Sequence, residues 1–129
     1  MEKTDTTTHT PDRQLINRFV IAFYSSVRED PTIGPIFNEA IGNHWAAHFE
    51  TLTDFWVTVL LGVHVYKGNP FLVHKQLPTL RNEHFDIWLQ IFEDIAHKEL
   101  YPDLATHAIE KAHRIATSLR QGLFFNVAE

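Results

Sequence analysis

The chain has 129 residues, with sixteen acidic side chains against eleven basic ones and a formal net charge of −5. This length predicts one domain with a single core, and 44% hydrophobic and 21% charged residues are typical of a globular protein. The acidic balance and the absence of a basic stripe argue against nucleic acid as a partner, and no apolar run approaches the roughly 20 residues needed to span a membrane. The absence of cysteine excludes disulfides, thiolate ligands and cofactor attachment through cysteine.

The opening stretch "MEKTDTTTHT" is polar and lacks the basic start and apolar centre of a secretion signal. We therefore predict a flexible tail over residues 1–10, a single domain over residues 11–129 and a cytoplasmic location.

Two helices are predicted in the first third of the chain. Thr10 should cap a helix that Pro11 opens and that ends at "EDP". In "TIGPIFNEAIG", two glycines and a proline predict a tight turn followed by a short helix over residues 35–41. The apolar residues at helical spacing in the first helix are Leu15, Ile16, Phe19, Val20, Phe23, Tyr24 and Val27.

A third helix is predicted through "HWAAHFETLTDFWVTVLLG", with Asn43 as its cap and an end near Gly62. A loop follows, and Pro70 and Pro78 should bound a short helix that holds His74. The apolar stripe of the third helix comprises Trp45, Phe49, Leu52, Trp56, Leu60 and Val63.

The remaining sequence predicts two longer helices and no strand or repeat, so the fold class is all-α. One helix should follow Thr79, and the last should start at Pro102, with His107 and His113 in solvent. The expected buried residues are Phe85, Trp88, Ile91, Phe92 and Ile95 in the first, and Leu104, Ala108, Ala112, Ile115, Leu119 and Leu123 in the second.

Three polar or aromatic side chains have ordinary structural explanations when taken singly. His48 lies within roughly 40° of Leu52 on the apolar face, yet a lone inward histidine is more often a hydrogen-bonded core residue than a ligand. Tyr24 fits an amphipathic aromatic with a solvated hydroxyl, and Trp88 fits the core. Together with His74 on its short helix and ten phenylalanines, however, this inventory is typical of a haem pocket in an all-α domain.

Several stretches resemble, in order, the signatures of the group III truncated haemoglobins over roughly residues 15–95. They are "FVIAFYSSVRED", "IGPIFNEAIG", "HWAAHFETLTDFWVTVLLG", "VHKQLP" and "HFDIWLQIF". The resemblance implies the truncated globin fold, a 2-on-2 helical sandwich around haem, and a non-covalent haem b as cofactor. It also implies that His74 is the protein ligand of the iron.

The resemblance further implies which side chains line the pocket. Tyr24, His48 and Trp88 would face the bound ligand, and they are the candidate catalytic residues. The full set of implied cofactor-binding residues is Phe23, Tyr24, Phe37, His48, Leu52, His74, Leu77 and Trp88.

The chemistry of these side chains agrees with those roles. A neutral imidazole suits an axial position of haem iron, and no cysteine or internal methionine competes with His74. Hydrogen bonds from the Tyr24 hydroxyl and the Trp88 indole would each stabilise bound oxygen by about 0.5 to 1.5 kcal/mol and slow its release. We therefore expect binding of oxygen, nitric oxide and carbon monoxide. Nitric oxide dioxygenase-like or peroxidase-like turnover stays open, because it needs an unidentified reductase.

Other interpretations remain at this point. His44 and His48 have the i, i+4 spacing of a helical zinc or other non-haem metal site, although the glutamate of His-Glu-x-x-His and an evident third ligand are missing. A helical interaction module with inert histidines is the third option. If haem binds, Lys75 and Arg81 are candidate partners for its propionates.

Overall fold

The structure, a computed structural model, describes residues 12–68 and 80–124. Within these ranges it contains helices and no strand, which confirms the predicted all-α class. No helix in this part of the chain is long and apolar enough to cross a membrane. The helices are α1 (Arg13–Glu29), α2 (Gly34–Ile41), α3 (Trp45–Leu61), α4 (His84–Glu99) and α5 (Pro102–Phe124). The predicted tail and the short helix holding His74 lie outside the described residues.

Helix α1 begins two residues later than predicted. The N-cap is Asp12 rather than Thr10, and its carboxylate accepts a hydrogen bond of 2.9 Å from the backbone N–H of Leu15. An aspartate at this position satisfies a free N–H of the first turn, so the helix starts at Arg13 and not at Pro11.

The chain turns sharply between α1 and α2. The Asp30 carboxylate accepts hydrogen bonds from the backbone N–H groups of Thr32 (2.8 Å) and Ile33 (2.9 Å). Gly34 then packs so closely on the end of α1 that a Cβ atom there would lie 2.5 Å from the carbonyl oxygen of Arg28. Only glycine fits this contact, which fixes where α2 leaves the turn.

Both ends of α3 differ in detail from the prediction. The N-cap position is occupied by His44, not Asn43, because the His44 carbonyl accepts the first helical bond from His48 while Asn43 lies in the preceding turn. The helix ends at Leu61, and Gly62 follows in the left-handed conformation, as expected for a C-terminal glycine. Val63 therefore falls outside the helix and is 52% exposed instead of belonging to the buried stripe.

Helix α4 begins at His84, later than the predicted start after Thr79. Backbone bonds from His84 to Arg81 and from Phe85 to Asn82 span three residues, which makes this entry a tight turn instead of α-helix. The backbone N–H of Arg81 also donates to Nδ1 of His84 at 2.9 Å.

Helix α1 is the central element. It packs against α2, α3 and α4, while α4 packs against α5 along a face of buried alanines on α5. Asn17 on α1 donates to the buried hydroxyl of Thr53 on α3 at 3.0 Å, which holds this pair of helices in register. The helices thus form two pairs, α1 with α3 and α4 with α5, joined through α1 and α4.

The two histidines predicted in solvent on α5 differ. His113 is exposed and pairs with Glu93 of α4 at 2.6 Å, whereas His107 is half-buried. Helix α5 packs against both α4 and α3, so a position outside the apolar stripe can still be partly covered.

Candidate functional site

An aromatic cluster forms where α1, α2, α3 and α4 meet, with Tyr24 at its centre. The ring of Tyr24 lies 4.5 Å from that of Phe23 and 6.4 Å from that of Phe37, both edge-on. The Phe23 ring in turn meets that of Trp88 edge-on at 5.4 Å. Four of the predicted pocket residues, from three different helices, are thereby brought together. We refer to Phe23, Tyr24, Phe37 and Trp88, together with Trp45, as the aromatic cluster.

The Tyr24 hydroxyl is the polar group at the centre of this cluster. Burial raises the pKa of Tyr24 to about 12, and the Trp88 indole N–H, which faces the phenolic oxygen, offsets part of that rise. The phenol is therefore neutral at physiological pH. A neutral phenol keeps its O–H proton and can donate it to an acceptor.

Trp88 is half-buried on α4, which differs from its expected place in the middle of the core. Its ring stacks on that of Phe92 at 5.5 Å, and Phe92 also meets Phe23 edge-on at 5.1 Å. This packing fixes the indole plane, so the direction in which its N–H points follows from the core behind it.

Phe37 reaches the cluster because of the tight turn before α2. It is half-buried, and the close contact of Gly34 with Arg28 sets the position of its helix. Two further bonds join α2 to α1: Arg28 Nε donates to Asn38 Oδ1 at 3.2 Å, and Asn38 Nδ2 donates to the Arg28 carbonyl at 3.2 Å.

Helix α3 contributes His48 and Leu52, both half-buried. His48 meets the Trp45 ring edge-on at 5.7 Å, and Leu52 packs against the hydrophobic core. His44, the other half of the predicted metal pair, is exposed at the N-cap of α3. Among residues 12–68 and 80–124, no group of three or more His, Cys, Asp or Glu side chains could hold a metal ion.

Trp45 belongs to this site, although the sequence indicated only its place in an apolar stripe. Its side chain is buried, its ring lies 6.2 Å from that of Tyr24, and the guanidinium of Arg28 lies 4.7 Å above it. Its indole nitrogen has no hydrogen-bond partner among the described residues. No spacing rule reveals such an unpaired donor, because the acceptors near it depend on the tertiary packing.

Three residues from the predicted proximal side, His74, Leu77 and Lys75, lie outside the described residues. Arg81 is described, and its side chain is exposed. The residues that are described fit a haem distal side on their own chemistry: aromatic rings suit a flat apolar macrocycle, while the buried Tyr24 hydroxyl and the unpaired Trp45 N–H supply donors for polar atoms.

Comparison with known proteins gives a consistent result. The chain is 33% identical over 118 residues to the group 3 truncated hemoglobin ctb of Campylobacter jejuni, covering 89% of this chain and 93% of that protein. Among solved structures it is similar to the crystal structure of the group III truncated hemoglobin from Campylobacter jejuni. There the TM-score is 0.84 at 33% identity, with the same coverage of 89% and 93%. No family model matches the chain. The structural similarity confirms the predicted truncated globin fold.

Proposed function

The chain belongs to the group III truncated haemoglobin family, whose globin character implies haem binding, and on this premise we propose that it binds oxygen and other diatomic ligands with slow oxygen release. The proposed cofactor is non-covalent haem b, and the proposed ligands are oxygen, nitric oxide and carbon monoxide. Haem, when bound, would supply an iron ion that can bind such a molecule.

The observation that carries the proposal is the buried, neutral hydroxyl of Tyr24. A hydroxyl removed from water costs free energy unless it meets partners, and no acceptor for the Tyr24 proton lies among the described residues. An oxygen molecule held at the haem would be an acceptor for that proton. Carbon monoxide, which is less polar when bound, is a weaker one.

Each proposed residue has a distinct role. His74 would hold the iron, and Phe37 would pack on the macrocycle. Tyr24 donates to the ligand, and Trp88 orients the Tyr24 hydroxyl. The other proposed pocket residues are Phe23, His48, Leu52 and Leu77.

The position of Trp88 supports slow release in particular. A donor beside the phenolic oxygen favours hydroxyl orientations in which the proton points away from the indole, so fewer orientations are open to Tyr24 before a ligand arrives. Less conformational freedom is then lost when the ligand is bound.

Redox turnover needs an external electron donor, so we assign ligand binding and treat an unidentified reductase as a further proposed partner. Slow release suits nitric oxide dioxygenase-like or peroxidase-like chemistry better than oxygen delivery. Stopped-flow mixing of the oxygenated protein with nitric oxide, with nitrate as the product measured, tests such turnover directly.

The binding proposal is tested by displacing oxygen from the haem-loaded protein with excess carbon monoxide and following the visible spectrum. We expect stable oxygen and carbon monoxide complexes, with oxygen release slower in the wild type than in Tyr24→Phe. A protein that takes up haem but forms no oxygen complex would contradict the proposal.

A further inference from the structure

Trp45 lies between Tyr24 on α1 and His48 on α3, which are both proposed to face the ligand. Its ring lies 6.2 Å from that of Tyr24 and 5.7 Å from that of His48, and Phe49 meets it at 5.6 Å. Only 6% of the residue is exposed. Trp45 is therefore buried at the interface between α1 and α3.

The indole N–H of Trp45 is buried without an acceptor among the described residues. Leaving a buried donor unpaired costs about 1 to 3 kcal/mol, and buried polar groups in folded proteins nearly always have a partner. A phenylalanine would fill a similar apolar space without this cost. The nitrogen thus indicates an acceptor that comes from outside the described residues.

Arg28 restrains the ring that carries this donor. Its guanidinium lies 4.7 Å above the indole, and its Nε is itself held by Asn38 at 3.2 Å. A cation over the aromatic face attracts the electron density of the ring, which favours donation from the N–H to a negatively charged or electron-rich oxygen. The same contact opposes rotation of the ring towards solvent.

We propose that the Trp45 indole N–H donates a hydrogen bond to an electron-rich oxygen atom that enters with the prosthetic group, making Trp45 a further specificity-determining residue beside Tyr24 and Trp88. The inference rests on the proposed haem binding. Two oxygen sources share this chemistry: a propionate carboxylate of the porphyrin and the bound diatomic molecule.

The test reads the hydrogen-bond state of the Trp45 indole directly by ultraviolet resonance Raman spectroscopy of the full chain. The signal is assigned by replacing Trp45 with benzothienylalanine, which keeps the ring size but has sulfur in place of N–H. The same replacement at Trp56, which is buried against Phe55 and Phe92, is the matched control. Because the Trp45 indole signal is present in the wild-type protein, the test does not depend on how well a variant folds.

Spectra of four states of the protein distinguish the two sources of the acceptor oxygen. These states are the apoprotein, the protein with zinc protoporphyrin IX, the protein with its dimethyl ester, and the ferrous haem protein with oxygen. A hydrogen-bonded Trp45 signal with zinc protoporphyrin that is lost with the dimethyl ester identifies the carboxylate. A signal that appears only with oxygen identifies the diatomic ligand.

The isostere at Trp45 should also accelerate haem loss in the first case, or oxygen release in the second, about tenfold, which corresponds to ~1.4 kcal/mol. The Trp56 isostere should change neither rate. An indole signal that is the same in all four states, or that shifts equally with the dimethyl ester, would overturn the inference. Failure of the wild type to take up haem at all would instead refute the proposed function, and it is seen separately in the absorption spectrum.

Discussion

Tyr24→Phe is the substitution that isolates the proposed ligand hydrogen bond. It keeps the ring and therefore its edge-on contacts with Phe23 at 4.5 Å and Phe37 at 6.4 Å. It removes the buried hydroxyl and nothing else, so it leaves little cavity. The change also removes the phenolic oxygen that the Trp88 indole N–H faces.

The expected change in the rate of oxygen release depends on which polar group a substitution removes. A hydrogen bond to a partly charged oxygen contributes about 1 to 2 kcal/mol, so oxygen release should be roughly 5-fold to 30-fold faster in Tyr24→Phe. Trp88→Phe removes the indole N–H beside the Tyr24 hydroxyl, and also trims the ring that packs on Phe92, and should accelerate release about 2-fold to 5-fold, or about 0.5 to 1 kcal/mol. If Trp88 acts through Tyr24, the double variant should release oxygen about as fast as Tyr24→Phe alone.

The assay is stopped-flow replacement of oxygen by carbon monoxide, with the carbon monoxide dissociation rate measured beside it. Carbon monoxide release should respond less than oxygen release, because carbon monoxide is the weaker acceptor. Tyr101→Phe removes a hydroxyl at the junction of α4 and α5, outside the aromatic cluster, and serves as the matched control that should leave both rates unchanged.

Two results would refute the reasoning. An oxygen off-rate in Tyr24→Phe within twofold of the wild type would show that Tyr24 does not hold the ligand. Multiplicative effects in the double variant would show that Trp88 donates to the ligand independently of Tyr24.

Three further predictions concern stability and ligand entry. Burial raises the pKa of Tyr24 from 10.0 to about 12, so the stabilisation that comes from the protonated phenol is complete below pH 10 and is lost as the pH rises towards 12. Chemical denaturation of the apoprotein should therefore show that the wild type loses about 1.3 kcal/mol more unfolding free energy between pH 9 and 11 than Tyr24→Phe does. Parallel curves of unfolding free energy against pH for the two proteins would contradict this. Gly34→Ala should destabilise the protein by about 1 to 3 kcal/mol because its Cβ would meet the Arg28 carbonyl oxygen, whereas the exposed Glu39→Ala on the same helix should cost little; equal midpoints in denaturant would exclude the close contact. His48→Leu should change ligand association rates more than dissociation rates, because His48 is half-buried at the margin of the aromatic cluster, and flash photolysis that shows the reverse would place it against the bound ligand.

The helices were predictable because their apolar spacing is long and regular. Phe19, Phe23 and Val27 recur along one face of α1 and are fully buried, as the spacing indicates. Helix ends were predicted less well, since each depends on which of several neighbouring groups forms the capping bond. Asp12 forms the bond expected of Thr10, and the first carbonyl of α3 belongs to His44 instead of Asn43.

The residues of the site could be proposed from the sequence, but their connections could not. Tyr24 and Trp88 are 64 positions apart, and nothing in either helix alone indicates that their polar groups face each other. Trp45 shows the same limit of prediction from the sequence. A stripe of apolar residues predicts its burial, whereas the unpaired indole nitrogen follows only from the packing of α1 and α3 around it.

The most direct test of the proposed haem protein is haem titration of the wild type and of His74→Gly, followed through the Soret band and the ferrous spectrum. We predict that the wild type binds one haem per chain, that His74→Gly retains haem weakly, and that added imidazole partly restores the wild-type spectrum. A wild-type ferrous spectrum in His74→Gly without imidazole would contradict the assignment of His74 as the iron ligand, and a wild type that binds no haem would contradict the proposed function itself.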